Sequence, residues 1–155
     1  MCIRDRVIDA TEWVGPYNDL AFGFQQIAKY YYFPGWHEPG SMLEFIINLD
    51  AWNELPTHLQ SIVKTAAKAV NQDLLDEYTA MNNQALRELI DVHNVQLKKL
   101  PDDVINEFRV ISKSVLDEIA ENDNQFKSIY ESYLKFKSEV VSYHEISEDA
   151  FTKIR

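Results

Sequence analysis

Three clusters of side chains in this sequence are equipped for chemistry: Glu12-Trp13, Trp36-His37-Glu38, and the aromatic run Tyr30-Tyr31-Tyr32-Phe33 between them. A glutamate beside a tryptophan offers a hard oxygen donor next to a rigid apolar wall with one polar tip, which suits a small polar ligand. Glu12 follows the short apolar stretch Val7-Ile8-Asp9-Ala10 and precedes the Gly15-Pro16 break. In open α/β sheets ligands bind beyond the carboxyl ends of strands, and that is where this order of residues places the carboxylate. His37 and Glu38 directly follow Pro34-Gly35, so they too belong to a loop at a strand end.

Each cluster also has a plainer reading. By spacing alone Glu12 reads first as a surface or capping acid, and Tyr30 to Phe33 as core strand before ligand wall. His37-Glu38 matches no metal-ligand spacing such as H-E-x-x-H, and alone it reads as a solvated loop pair. His58 and His93 fall at helix ends, where a favourable dipole or simple exposure accounts for them. For Glu44, a buried-face carboxylate with a partner and a ligand contact stay equally open.

Composition narrows the classes. The chain has 155 residues, 46% of them hydrophobic, enough to form one core. It is short for a protein whose ligand lies between two lobes of ordinary size. A formal net charge of -10 speaks against a nucleic-acid partner, because phosphate binding needs clustered Lys and Arg. No stretch approaches the roughly 20 apolar residues of a membrane span, and no basic-then-apolar signal peptide opens the chain. The opening hexapeptide Met1-Cys2-Ile3-Arg4-Asp5-Arg6 reads as adapter-derived sequence, a genuine start being the alternative, so the missing signal carries little weight. Cys2 is the only cysteine. A disulfide framework, a catalytic cysteine in the body of the chain and a cysteine zinc site are therefore excluded.

The elements that must position these clusters follow from period. Val7–Ala10 reads as a short strand, and Asn18 or Asp19 can cap a short helix carrying Leu20, Phe24, Ile27 and Ala28. Tyr30–Phe33 reads as a strand closed by Pro34-Gly35. Met42–Leu49 reads as another, with Leu43, Phe45, Ile47 and Leu49 on one face. Asp50 can cap a single turn. Pro56 suits the start of a helix of about nine turns whose apolar stripe runs through Leu59, Ile62, Val63, Ala66, Val70, Leu74 and Tyr78 to Leu89. Val95–Lys98 is a brief extended piece. Pro101-Asp102-Asp103 opens a further helix, Phe126 to Val140 marks another, and Ser147 caps a last short one. Strand and helix alternate in the first third, and the remainder is helical. The fold class is α/β, mostly helical with a long bracing helix and a few strands. Its segments are 1–6, artefactual; 7–50, a remnant of α/β lobes with cleft loops and hinge strands; and 51–155, the long helix and C-terminal helices.

The run Val7-Ile8-Asp9-Ala10-Thr11-Glu12-Trp13-Val14-Gly15-Pro16, then Ala28-Lys29-Tyr30-Tyr31-Tyr32 and Pro34-Gly35-Trp36-His37-Glu38-Pro39-Gly40, resembles the solute-binding subunits of tripartite ATP-independent periplasmic (TRAP) transporters, the DctP superfamily. The branch it is most similar to binds 2-oxo acids and other monocarboxylates. Ile47-Asn48, Trp52, Leu55-Pro56, Ala66-Ala67 and the ending Ser147-Glu148-Asp149-Ala150-Phe151 look like the same family, so the likeness runs from Val7 to Arg155. The resemblance implies the C-terminal part of a two-lobed, type II-like periplasmic binding protein whose first lobe and carboxylate-clamping arginine lie upstream. It implies a small 2-oxo or hydroxy carboxylate bound with a cation, Na⁺ or Ca²⁺, and delivered to the TRAP membrane subunits. Glu12 and Trp13 match the family's cation-binding pair, with Glu38 a further metal ligand. Trp13, Trp36, His37 and Glu38 would face the bound acid. A homodimer through exchange of C-terminal helices is also implied, as is location in the periplasm.

Two other readings belong to different classes. Glu12, His37 and Glu38 can be arranged as an acid–base set in a lyase or hydrolase. No nucleophile, phosphate loop or metal motif accompanies them, and the chain reads as a binding subunit, not an enzyme. The stripe from Leu59 to Leu89 can instead serve a partner helix, making the chain a helical interaction module. Burial of that stripe against its own lobes is the favoured alternative.

Overall fold

A computed structural model describes residues 8–36, 38–40 and 43–155. The expectations placed on residues 1–7, His37 and Met42 lie outside them. The chain divides into two compact units, one up to Leu100 and one from Pro101.

The first unit is organised by one long helix. Helix α1 (Pro16–Phe22) opens on Gly15 and Pro16, because a proline at the first helical position loses no hydrogen bond. Contrary to the expectation from sequence, neither Asn18 nor Asp19 caps it; both fall inside its first turn. Gly23 closes it in the left-handed region at φ 76, where a side chain would be strained, and a short 3-10 turn (Phe24–Gln26) follows. Strand β1 (Tyr30–Phe33) forms where the aromatic run predicts it. After the irregular segment 43–48 come α2 (Leu49–Glu54) and α3 (Thr57–Asp91), a helix of 35 residues. Asn94, at φ 56, turns the chain out of α3 into β2 (Gln96–Lys99), the brief extended piece expected there. A left-handed position of this kind is one that Asn tolerates better than most residues.

β1 and β2 pair in parallel, with Tyr30 opposite Gln96 and Phe33 opposite Lys99. Parallel neighbours cannot be joined by a tight turn; a long crossover is required, and α3 supplies it. Backbone bonds from Gln96 N–H to Lys29 O (2.8 Å) and Leu100 N–H to Phe33 O (2.8 Å) extend the ladder at both ends. Ala85 and Leu89 of α3 and Val95 are buried, with Leu89 only 2% exposed. α1 packs along α3.

Two expected strands are absent among the described residues. Ile8–Ala10 is irregular, and so is 43–48, where Leu43, Phe45 and Ile46 are 73–80% exposed. A single extended segment leaves its amides unpaired, and none of the described strands lies beside either stretch. Asn48, not Asp50, caps α2: its side-chain oxygen accepts from the Ala51 amide at 3.1 Å. The apolar stripe of α3 is buried only near its end, at Ala85 and Leu89, while Ile62 and Val70 are exposed.

The second unit is α4 (Asp102–Asn122), α5 (Asn124–Ile146) and α6 (Glu148–Ile154), with α4 packed on α5 and α5 on α6. Asp102 and Asp103 sit in the first turn of α4, where the helix dipole favours negative charge. Asp123 caps α5 by accepting from the Gln125 and Phe126 amides at 2.8 and 2.9 Å. Phe126 stacks on Tyr130, centroids 5.6 Å apart.

Candidate functional site

Glu12 and Trp13 stand on the irregular segment that leads into α1. The Trp13 ring meets Phe22 edge-on, centroids 5.4 Å apart at 69°, so the indole is held against α1 while 49% of the residue stays exposed. The Thr11 hydroxyl donates a long 3.4 Å bond to the Glu12 carbonyl. Glu12 is exposed.

Behind this pair lies a polar contact that joins α1 to β1. The Tyr31 hydroxyl donates to Asp19 Oδ2 at 2.6 Å. Asp19 is 6% exposed, and burial pushes its carboxyl above the ordinary 3.8. The Tyr31 hydrogen bond pulls it back down, and the nearby Glu12 charge pushes it up again. Burial, and then the Asp19 carboxylate that it faces, raise the Tyr31 hydroxyl far above its usual range, so it keeps its proton and stays a donor. The charge of the exposed Glu12 thus reaches the buried Asp19.

The second cluster leaves β1. Trp36 and Glu38 are exposed on the irregular stretch after Phe33, as the Pro34-Gly35 break predicts. Of the sequence-predicted set, the structure thus places Glu12 and Trp13 at the entry to α1 and Trp36 and Glu38 at the exit of β1.

Two concavities were candidates for a ligand. One of about 20 Å³, beside Asp19, Gln25, Tyr31 and Leu89, has room for a water molecule and not for an organic acid. The other, about 340 Å³, is an open apolar groove between Phe45, Leu49, Trp52 and Val63, with Lys64 Nζ 5.4 Å from the Trp52 ring centre. Neither is lined by Glu12, Trp13, Trp36 or Glu38. Among the described residues no group of three or more His, Cys, Asp or Glu side chains is gathered for a metal. The donors at Glu12 and Trp13, a carboxylate and a backbone carbonyl, are nonetheless the oxygen type that Ca²⁺ and Na⁺ prefer.

The sequence profile of the family described as DctP, bacterial extracellular solute-binding protein, family 7, matches residues 1–123. The chain belongs to this family. Its relatives include the monocarboxylate 2-oxoacid-binding periplasmic protein of Nostoc sp. strain PCC 7120, 38% identical over 141 residues. That match takes in 91% of this chain and 38% of the relative. A solved family structure is similar throughout, with a TM-score of 0.90 and 31% identity over 99% of this chain and 45% of the other. It is a TRAP transporter solute-binding protein from Bordetella bronchiseptica RB50, a mixed-occupancy dimer with copurified calcium and picolinate in one active site and the other site apo. This member of the DctP family thus spans less than half the length of either relative, and the helix-rich α/β architecture expected from the sequence is the one it shares with the Bordetella protein.

Sequence reasoning named Asp19 as a cap and Tyr31 within the aromatic run, and missed their pairing. A signal existed. Alternation along Tyr30–Phe33 puts Tyr31 on the opposite face from Tyr30 and Tyr32, and a buried tyrosine hydroxyl requires a partner.

Proposed function

We propose that this chain forms part of the solute-binding subunit of a TRAP transporter. In the periplasm that subunit binds a small 2-oxo or hydroxy carboxylate together with a cation and hands it to the membrane subunits, without turnover. The observation that carries this reading is the exposed Glu12 carboxylate beside Trp13 in a family whose members bind organic acids.

A glutamate facing an anionic ligand repels it by about 4 kcal/mol at 4 Å and an effective dielectric near 20. A hard cation between them turns the two repelling carboxylates into shared ligands. Picolinate, held with calcium in the Bordetella protein, carries a ring nitrogen next to its carboxylate. A 2-oxo or 2-hydroxy acid presents an oxygen at the same place, so both chelate one cation in the same way. In this reading Glu12 binds the cation through its carboxylate, and Trp13 contributes its backbone oxygen or its ring. Glu38 is a further metal ligand, and Trp36, His37 and Glu38 line the second side of the acid. Exposed apolar residues on α5 and α6, among them Phe136, Ile146 and Ile154, favour a homodimer built by exchanging those helices, and the Bordetella relative is itself a dimer.

Calorimetric titration of a full-length relative with its acid, with and without Ca²⁺, tests this. Glu12→Gln, made at the matching glutamate, removes a charged ligand of the cation. It is expected to weaken acid binding about 10- to 100-fold and to abolish the calcium dependence. Unchanged affinity would remove Glu12 from the site. Light scattering that finds the full-length protein purely monomeric would exclude helix exchange.

A further inference from the structure

Helix α1 begins without a cap of its own. Its N-cap residue is Gly15, which has no side chain to accept from the first-turn amides, and Pro16 offers no N–H. The amide of Tyr17 is therefore the first donor of the helix that needs a partner. It finds one on α3, 65 residues away: Tyr17 N–H donates to Asn82 Oδ1 at 2.9 Å. The usual N-cap residue is thus replaced by an asparagine from the long helix. Further contacts hold the same turn to α3, with the Tyr17 ring edge-on to Tyr78 at 6.0 Å and its hydroxyl donating to Glu77 Oε1 at 3.3 Å. Gly15 passes so close that an added Cβ would lie 3.2 Å from Asn82 Oδ1.

We infer that Asn82 is a positioning residue for the Glu12-Trp13 pair. The segment 8–15 has no regular structure, so its course is set by where α1 begins. Asn82 fixes that beginning on α3, and the Trp13 ring rests on Phe22 of the same short helix. The long helix thereby sets the direction in which Glu12 and Trp13 leave it, and nothing in the contact requires the side chain to touch a ligand. The functional value of this placement rests on Glu12 and Trp13 being the ligand-binding pair, but the placement itself can be measured without any ligand.

The test uses the ¹⁵N- and ¹³C-labelled 155-residue chain. Asn82→Ala is expected to speed exchange of the Tyr17 amide about fivefold and to weaken the cross-ring nuclear Overhauser effects between Trp13 and Phe22. Asn82→Asp, which keeps the accepting oxygen, is expected to restore both. Gly15→Ala, with Asn82 intact but crowded, is expected to shift the same Trp13 resonances. A merely structural role for Asn82 would lower overall stability and leave the Trp13–Phe22 signals in place, and that result would overturn the inference. So would an unchanged Tyr17 exchange rate in Asn82→Ala. If these signals move as expected while Glu12→Gln leaves acid binding untouched in the full-length relative, the positioning stands and the reading of Glu12 falls.

Discussion

Asp19 holds a carboxyl group almost out of water, with Tyr31 donating to one oxygen and the charge of Glu12 close by. Its other oxygen, Oδ1, and Gln25 Oε1 are buried without a donor among the described residues. Removing the hydroxyl in Tyr31→Phe leaves the carboxyl unsupported, and a loss of about 1.5–3 kcal/mol in urea-unfolding stability is expected. pH supplies a second check. Because the folded chain holds the Asp19 proton above the ordinary 3.8, the unfolded chain ionises first, and the stability this group contributes is lost as pH rises through that window. Asp19→Asn cannot ionise and keeps an acceptor for Tyr31. Relative to the parent, it is expected to be more stable at pH 7 than at pH 3.5; the opposite trend in urea melts would refute the burial argument. The place of Glu12 and Trp13 at the entry to α1 was legible in sequence because a Gly-Pro break follows them. The Asp19–Tyr31 pair was not, because both residues suit local roles, cap and strand, and their partnership exists only once α1 folds against β1.

At the scale of elements, local period served well wherever a helix is decided by its own residues, whereas the expected caps did not: Asn18, Asp19 and Asp50 lie inside their helices, and Ser147 precedes α6 without a side-chain capping bond. α4, α5 and α6 lie close to where the stripes from Val104, Phe126 and Phe151 put them, and α3 runs its expected length. The Asp123 cap of α5 is of this local kind. Asp123→Ala strands two amides and is expected to cost about 1 kcal/mol, read as a lower urea midpoint for the loss of helix signal. Strands depend on neighbours, and there the sequence is a weaker guide. Tyr30–Phe33 and Gln96–Lys99 are strands because they found each other across the whole of α3. The segment 43–48 has equal strand character in its residues and stays irregular, since a strand's amides are satisfied only by another strand. The start of α1 shows the same limit: its cap lies on another element, so no local signature announces it.

At the scale of the molecule, the exposure of Leu43, Phe45, Ile46 and much of the α3 stripe is large for a surface in water. This chain spans 38% of the length of its Nostoc relative and 45% of the Bordetella protein. The family resemblance implies an acid enclosed between two lobes, and a site with few of its walls binds weakly whatever its donors. The 155-residue chain alone is accordingly expected to bind a 2-oxo acid with a dissociation constant weaker than micromolar, even with saturating Ca²⁺. A micromolar or tighter constant by calorimetry would contradict the two-walled cleft. The central claim is sharper: Glu12 tolerates an organic anion because the two share a cation. The most direct measurement is a crystal structure of a full-length protein containing this segment, grown with Ca²⁺ and a 2-oxo acid. The account predicts a Glu12 carboxylate oxygen about 2.3–2.6 Å from a cation that also binds the acid. Glu12 turned to bulk water, with the acid bound elsewhere and no ion beside it, would contradict it.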